Sequence, residues 1–476
     1  MYYAYNFKYL DSIYKMRAFY KLPENSVDIL ALGSSHTYQG INTATLWNEY
    51  GAAAFDLCGA AQPVANTYYY FKEALKTQNP KVVLFDMYSM CVNSDYPDEG
   101  TGIKNTYGMR FSRDKLDAVD VTFEEPKQYY YSILQYHTRY GDLTEEDFFP
   151  YHANKNMYAD YKGFYCYFRT EDISSYGDVS NTSYFVPLAE KNREYLLKII
   201  DLAKQNDIQL IMLGLPFGAE SYNEGVYKTC KLIANANGVP FYDFLSDYRE
   251  ACGIDYTTDF SERQHLNHSG SEKITKWIYD NILSGCGIPD RRGDEKYASW
   301  ERDAYVFERQ LKNYRLAKET NIADYAGKLA GDKGYTVIAT SQAIGGVNVQ
   351  LALENGLFTF YDFVGVGDGS GRYGDGAWIS RAGTVEHSYP MDELGFAGTI
   401  SLSRFHDTAI YRVQLYTEEG EPESFVNSIL VDEYDCTGNR SDGLNIVVYD
   451  YFTDSVVDIA YFGYKNCVFS HFDLPE

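Results

Sequence analysis

Short hydrophobic runs alternate along the first 285 or so positions with longer stretches in which apolar residues recur every three or four. That alternation of periods predicts strands interleaved with amphipathic helices. Val27–Leu32 (VDILAL) reads as a buried strand closed by Gly33, and Ala53–Leu57 as a second. Pro63 then opens a helix over Val64–Lys76, where a missing N–H costs nothing. Lys81–Phe85 is a third strand, Val186–Gln205 a long helix, and Gln209–Leu215 a fourth strand stopped by Pro216. A helix over Tyr222–Asn237 ends at Gly238, a fifth strand covers Val239–Asp243, and Ser269 caps a closing helix over Ser269–Leu283. Strand–helix alternation at this spacing predicts an α/β fold: a flavodoxin-like, three-layer domain around a parallel sheet.

The rhythm is interrupted from about 88 to 184, a Tyr-, Asp- and Phe-rich insertion directly after the third strand. Such an insertion is expected to act as a lid or cap, and its position places it at the carboxyl edge, where α/β sites lie. The first domain is therefore assigned to residues 1–287. A charged helical connector follows over 288–330. From 331 to 476 short alternating runs (YTVIAT, NVQLAL, TISLS, IYRVQLY, LNIVVYD, SVVDIAYF) are separated by glycine-rich turns, predicting a second, mainly β domain.

Composition narrows the partners. A net charge of −25 and a pI near 4.7 repel phosphate backbones, so nucleic acid is not an expected partner. Aromatic residues reach 17%, with 48 tyrosines, and Tyr suits stacking on sugar faces. Eight cysteines without a Cys-x-x-Cys pair give no zinc pattern; they read as small buried hydrophobes. No metal or other cofactor is expected. Met1–Tyr20 is aromatic and charged, unlike a signal peptide or a membrane span.

Candidate chemistry begins at Gly33-Ser34-Ser35-His36, immediately after the first strand. A serine on that turn projects its hydroxyl over the carboxyl edge, and nearby backbone N–H groups can meet a developing oxyanion. Taken alone, such a turn needs small residues for steric reasons only. The second element is Asp259-Phe-Ser-Glu262-Arg-Gln-His265-Leu-Asn-His268-Ser-Gly270, ahead of the last helix of the same domain. A carboxylate near the histidine can orient the imidazole, which then withdraws the serine proton; the structural alternative is a polar capping loop. Leu57-Cys58-Gly59-Ala60-Ala61-Gln62 follows the second strand. There Gly59 would let its N–H approach a substrate oxygen, and Gln62 could add a side-chain donor. His36 is read as packing or capping and His137 as structural. Gly365–Gly376 lacks the period of calcium-binding glycine–aspartate turns and is read as a loop.

In combination these blocks resemble the SGNH/GDSL hydrolases. GSSH, LCGAAQ and DFxExxHLNxxG are similar to the extracytoplasmic branch that includes proteins of alginate acetylation and of D-alanyl transfer to teichoic acids. The resemblance covers about the first 285 residues. It implies a Ser35 nucleophile, a His265 base, and an oxyanion hole from the Ser35 and Gly59 N–H groups with Gln62. Two positions depart from that family. Glu262 stands three residues before His265 where the family has Asp, so Glu262 is the expected acid and Asp259 the alternative. Asp86-Met-Tyr-Ser follows the third strand, where the family carries an oxyanion-binding Asn. The end of the chain, Gly443-Leu-Asn-Ile-Val-Val-Tyr-Asp with Val456-Val-Asp458, resembles the interleukin-like EMT inducer domain.

The resemblance implies an O-acyl (acetyl) esterase or O-acyltransferase acting on a cell-surface or extracellular glycan. A membrane-bound O-acyltransferase is a natural partner, and an N-terminal tether outside the given chain would hold the protein at the surface. The alternative is a catalytically inactive glycan-binding or polysaccharide-assembly protein on the same scaffold. A nucleotide-binding flavodoxin-like domain is disfavoured, because the loop after the first strand is no phosphate cradle.

Overall fold

The computed structural model describes residues 10–92, 94–131, 161–176, 178–341, 347–364, 376–381, 384–390, 397–403, 410–417, 425–431, 434–436, 443–450, 452–453 and 455–474. His137 and most of the loop 365–376 lie outside these residues. The chain divides into two compact units, Met1–Phe307 and Glu308–Glu476; the division falls inside the stretch read from sequence as a connector.

The first unit is built on five parallel strands, β1 (Ile29–Leu32), β2 (Ala54–Asp56), β3 (Val82–Asp86), β4 (Gln209–Gly214) and β5 (Phe241–Asp243), in the order β2-β1-β3-β4-β5. Every residue of β1 to β3 is buried, as a sheet covered on both faces requires. The period of two sorts their side chains into two cores. Leu30, Leu32, Phe55, Val83, Phe85, Leu210 and Met212 join one face, against helices Val64–Ala74, Glu190–Gln205 and Ser221–Ala236. Ile29, Ala31, Ala54, Val82, Leu84, Ile211 and Leu213 join the other, against Ile274 and Ile278 of helix His268–Asn281. Each fully buried aliphatic side chain contributes about 1.5–3 kcal/mol. Because the order reverses at β1, the ends of β1, β2 and β3 open a crevice at the carboxyl edge.

Helices and caps of the first unit differ in places from the sequence reading. The insertion contains helices Glu99–Lys104 and Arg113–Thr122. Their N-caps Asp98 and Ser112 accept from Thr101 and Lys115 N–H, a signal hidden by the aromatic surroundings. The closing helix is capped by Asn267, whose side chain accepts from Ser269 and Gly270 N–H; Ser269 instead donates its hydroxyl to Asp259.

In the second unit six antiparallel strands form one sheet: Tyr335–Ser341, Gly376–Arg381, Thr384–Pro390, Gly443–Asp450, Ser455–Gly463 and Val468–Phe472. A four-stranded sheet runs from Ala397 to Asp435. Ile322, Tyr325 and Leu329 of helix Ile322–Ala330, with Phe360 and Tyr361 of helix Leu357–Val364, pack on Val337, Ile446, Val448 and Phe462. The NVQLAL run is not a strand. Asn348 accepts from Leu351 N–H and starts helix Val349–Glu354, so a local cap overrides the apparent alternation.

Candidate active site

Ser35 owes its position to the turn before it. Gly33 has φ +147°, and a Cβ there would fall 2.0 Å from Thr37 Oγ1, so only glycine allows the chain to leave β1 so tightly. Ser35 then opens helix Ser35–Gly40, where its N–H has no intrahelical acceptor. Its side chain is partly exposed amid buried neighbours.

His265 and Glu262 come from a small antiparallel hairpin, Phe260–Glu262 with His265–Leu266, in which Glu262 and His265 stand directly opposite. Facing residues on adjacent strands bring their side chains together. The spacing of three is therefore a cross-strand pair around Arg263-Gln264. His265 Nε2 lies 2.9 Å from Ser35 Oγ, and His265 Nδ1 meets Glu262 Oε1. Since a carboxylate only accepts, the Nδ1 proton points to Glu262 and Nε2 is left to receive the serine hydroxyl.

Asp259 is engaged elsewhere. It is fully buried and holds Ser269 Oγ at 2.9 Å, Lys273 Nζ at 2.6 Å and Asp255 N–H at 2.8 Å. Those contacts tie the loop to the closing helix, and the hairpin gives His265 to Glu262 instead.

Gly59 packs so closely that a Cβ would fall 2.0 Å from Asn105 Oδ1, 2.7 Å from Ser12 Oγ and 2.8 Å from Gln62 Oε1. Gln62 is buried and gives a side-chain N–H to Thr67 Oγ1 at 2.9 Å. One of its two amide N–H groups is thus used inside the protein.

Several neighbours escape a sequence reading. His36 and Asp86 form a buried pair, Nδ1 to Oδ2 at 3.0 Å, and the His36 ring stacks on Tyr88 with centroids 4.5 Å apart. The stretch 165–171 of the insertion crosses beside the hairpin: Tyr165 N–H donates to Tyr38 O, His268 N–H to Tyr167 O and Glu171 N–H to Phe260 O. It brings Tyr165, Tyr167 and Phe168, all partly exposed, alongside the segment that carries His265. An extended run with so many aromatics was the only sequence signal for it.

The His265 imidazole is held below its usual pKa. Burial is the largest cause and the charge of His36 the next; the Glu262 carboxylate opposes them, and Arg169 adds to the lowering. The imidazole is consequently a free base at neutral pH, as proton abstraction requires. The row can deprotonate Ser35 and return that proton to a leaving group.

No family model matches the chain, and no curated protein matches it. Among solved structures it is similar to a Bacteroides fragilis protein assigned as an acylhydrolase, at 12% identity and a TM-score of 0.29, covering 57% of this chain and 95% of that one. It is also similar to a gut microbial diltiazem-metabolizing enzyme, at 10% identity and a TM-score of 0.19, covering 83% of this chain and 57% of that one.

Proposed function

We propose that the first unit is a serine-dependent O-acyl esterase or O-acyltransferase. The observation that carries this reading is the continuous row Ser35 Oγ, His265, Glu262. Ser35 gives its proton to His265 Nε2 as Oγ attacks the ester carbonyl carbon. The imidazolium is balanced by Glu262, and the oxyanion is met by backbone N–H groups at Ser35 and Gly59. Collapse of the adduct breaks the bond to the leaving alkoxide, which takes the proton from Nε2–H. Water or an acceptor hydroxyl then loses its proton to Nε2 and attacks the acyl-enzyme, which restores Ser35. Hydrolysis and transfer share these steps and differ in how well water is kept out.

The substrate we infer is an acylated glycan. Tyr165, Tyr167 and Phe168 present part-exposed rings beside the site, and aromatic faces stack on the C–H faces of sugars. A surface polymer, with a membrane-bound O-acyltransferase as acyl donor, follows from the sequence blocks that resemble polysaccharide-modifying proteins. Labelling of Ser35 by a fluorophosphonate, with turnover of p-nitrophenyl acetate, tests the chemistry. Both should vanish in Ser35→Ala; turnover surviving in that variant would place the activity elsewhere.

A further inference from the structure

Resting on the ester reading, we infer that Ser12 and Asn105 are positioning residues of the oxyanion hole. They grip the Ala60 peptide from two sides and so fix the N–H of Gly59. Much rests on that N–H, because the end of β3 offers no amide. Asp86 stands there with its carboxyl turned inward, 3.0 Å from His36 Nδ1, 3.2 Å from Leu215 N and 3.4 Å from Tyr88 N.

Gly59 is buried, and its N–H makes no hydrogen bond among the described residues. Buried N–H groups without a partner are rare, which marks this one for a ligand. The rest of the turn is tied down. Ala60 N–H donates to Ser12 Oγ at 3.0 Å, and Ala60 O accepts from Asn105 Nδ2 at 3.0 Å. Gln62 N–H donates to Gly59 O at 3.3 Å, and Ser89 Oγ to Gln62 O at 2.9 Å. Between these anchors Ala61 is held at φ +46°, a left-handed conformation that a residue with a Cβ keeps only where its surroundings impose it.

The two grips come from elements far apart in sequence. Ser12 belongs to helix Leu10–Phe19, and Asn105 is the C-cap of helix Glu99–Lys104 in the insertion. Both are wholly buried, so neither meets a substrate. Asn105 Nδ2 also donates to Thr101 O at 2.9 Å. Both amide protons are thus used, and Asn105 acts through Ala60 rather than on an oxyanion. A Cβ at Gly108 would lie 3.0 Å from Ile13 Cα and from Met16 Cβ, so the insertion docks directly on helix Leu10–Phe19. Three residues on from Ser12, Lys15 Nζ lies 2.9 Å from the centre of the Tyr38 ring, and Tyr38 is on the helix that Ser35 opens. Residues three apart share a helix face. One face of helix Leu10–Phe19 therefore touches both the Gly59–Ala60 peptide and the helix of the nucleophile. It sets the spacing between the two oxyanion donors, the N–H groups of Ser35 and Gly59.

Ser12→Ala and Asn105→Leu should each cut kcat for p-nitrophenyl acetate by roughly 10- to 100-fold with KM little changed, the cost of a small misplacement of a catalytic group. Ser12→Thr, which keeps the hydroxyl, should restore most of that loss. Because both grips hold one peptide, the double variant should be about as slow as the slower single, whereas independent damage would multiply. The thiono analogue of the ester, with sulfur in place of the carbonyl oxygen, separates a lost oxyanion contact from general damage. Sulfur is a weak acceptor, so the grip variants should lose rate on the ester and little on the thiono ester. A loss of folded enzyme lowers both equally. Wild-type kcat in Ser12→Ala, or equal losses on the two substrates, would overturn the inference. Should Asn105→Leu fail to fold or the thiono analogue go unturned, Ser12→Ala against Ser12→Thr decides alone. Ser35→Ala separates the two readings: if it abolishes turnover while Ser12→Ala keeps wild-type kcat, the esterase stands and the positioning role falls. If Ser35→Ala retains turnover, the ester reading itself fails.

Discussion

Replacing Glu262 by glutamine removes one charge beside His265 and keeps the shape of the side chain. Glu262 Oε1 accepts from His265 Nδ1, and Oε2 accepts from Gln264 N–H at 3.2 Å. In the transition state the first of these is a bond between an imidazolium and a carboxylate. Hydrogen bonds to charged groups contribute about 1.5–3 kcal/mol, and every 1.4 kcal/mol is about tenfold in rate. The expected loss in kcat/KM for Glu262→Gln is therefore about 10- to 150-fold. The loss rises toward ~10⁴-fold if the amide turns its NH2 toward Nδ1, because the ring must then carry its proton on Nε2 and face Ser35 as a donor. The Glu262 side chain is 27% exposed, so solvent screens part of the charge and the charge alone should cost no more than about 150-fold. Asp259→Asn is the matched control. It weakens contacts to Ser269, Lys273 and Asp255, and should lower the melting temperature while kcat/KM of the folded enzyme stays within about threefold. Steady-state turnover of p-nitrophenyl acetate at neutral pH, beside thermal melts, reads both. If Glu262→Gln keeps wild-type kcat/KM and Asp259→Asn loses it, the assignment of the acid is refuted.

The acid limb of kcat/KM should have its midpoint below the usual histidine value of 6.5, since burial and the His36 charge lower the His265 pKa. Glu262→Gln should move it lower still, because that carboxylate raises it. Glu224, fully buried, has its pKa raised to about 7 by burial first and then by the charge of Asp243. A raised carboxyl pKa means that the native state holds a proton the unfolded chain has lost, so stability falls as pH climbs from about 4.5 to 7. Glu224→Gln should remove that loss and gain up to about 3 kcal/mol at pH ~8, read by chemical denaturation at pH ~4.5 and pH ~8; no pH-dependent difference from wild type would sink it. In the second unit His471 loses by burial but gains more from Asp458, 2.9 Å from Nδ1, while Nε2 faces Glu319 O at 2.6 Å, and its pKa is raised. Its stabilising effect should be complete below pH 6.5 and fade as pH rises through the folded-state value. Hydrogen exchange in strands Ser455–Gly463 and Val468–Phe472 should accelerate across that window in wild type and not in His471→Gln.

The hydrophobic pattern alone located the five parallel strands and the helices Val64–Ala74, Glu190–Gln205, Ser221–Ala236 and His268–Asn281. Each strand is a short apolar run that must be buried on both faces, and the Ser35 and Gly59 motifs each follow a strand directly, so both had to emerge at one edge. The resemblance made Glu262 the expected acid, but local pattern left Asp259 open as the alternative. Asp259 and Glu262 are both near His265 in sequence, and only the hairpin register, pairing Glu262 with His265, turns one carboxylate to the imidazole and the other to the closing helix. The His36–Asp86 pair lay equally beyond local pattern, because its partners are 50 residues apart and meet only when β1 and β3 become neighbours. The crossing of residues 165–171 beside the hairpin was hidden for the same reason, and the helix at Val349 because a single cap outweighed an alternating run. Periodicity is a property of neighbours along the chain, so it fixes elements and faces. Side-chain partners are chosen by register and packing between elements, and these exist only once the chain has folded.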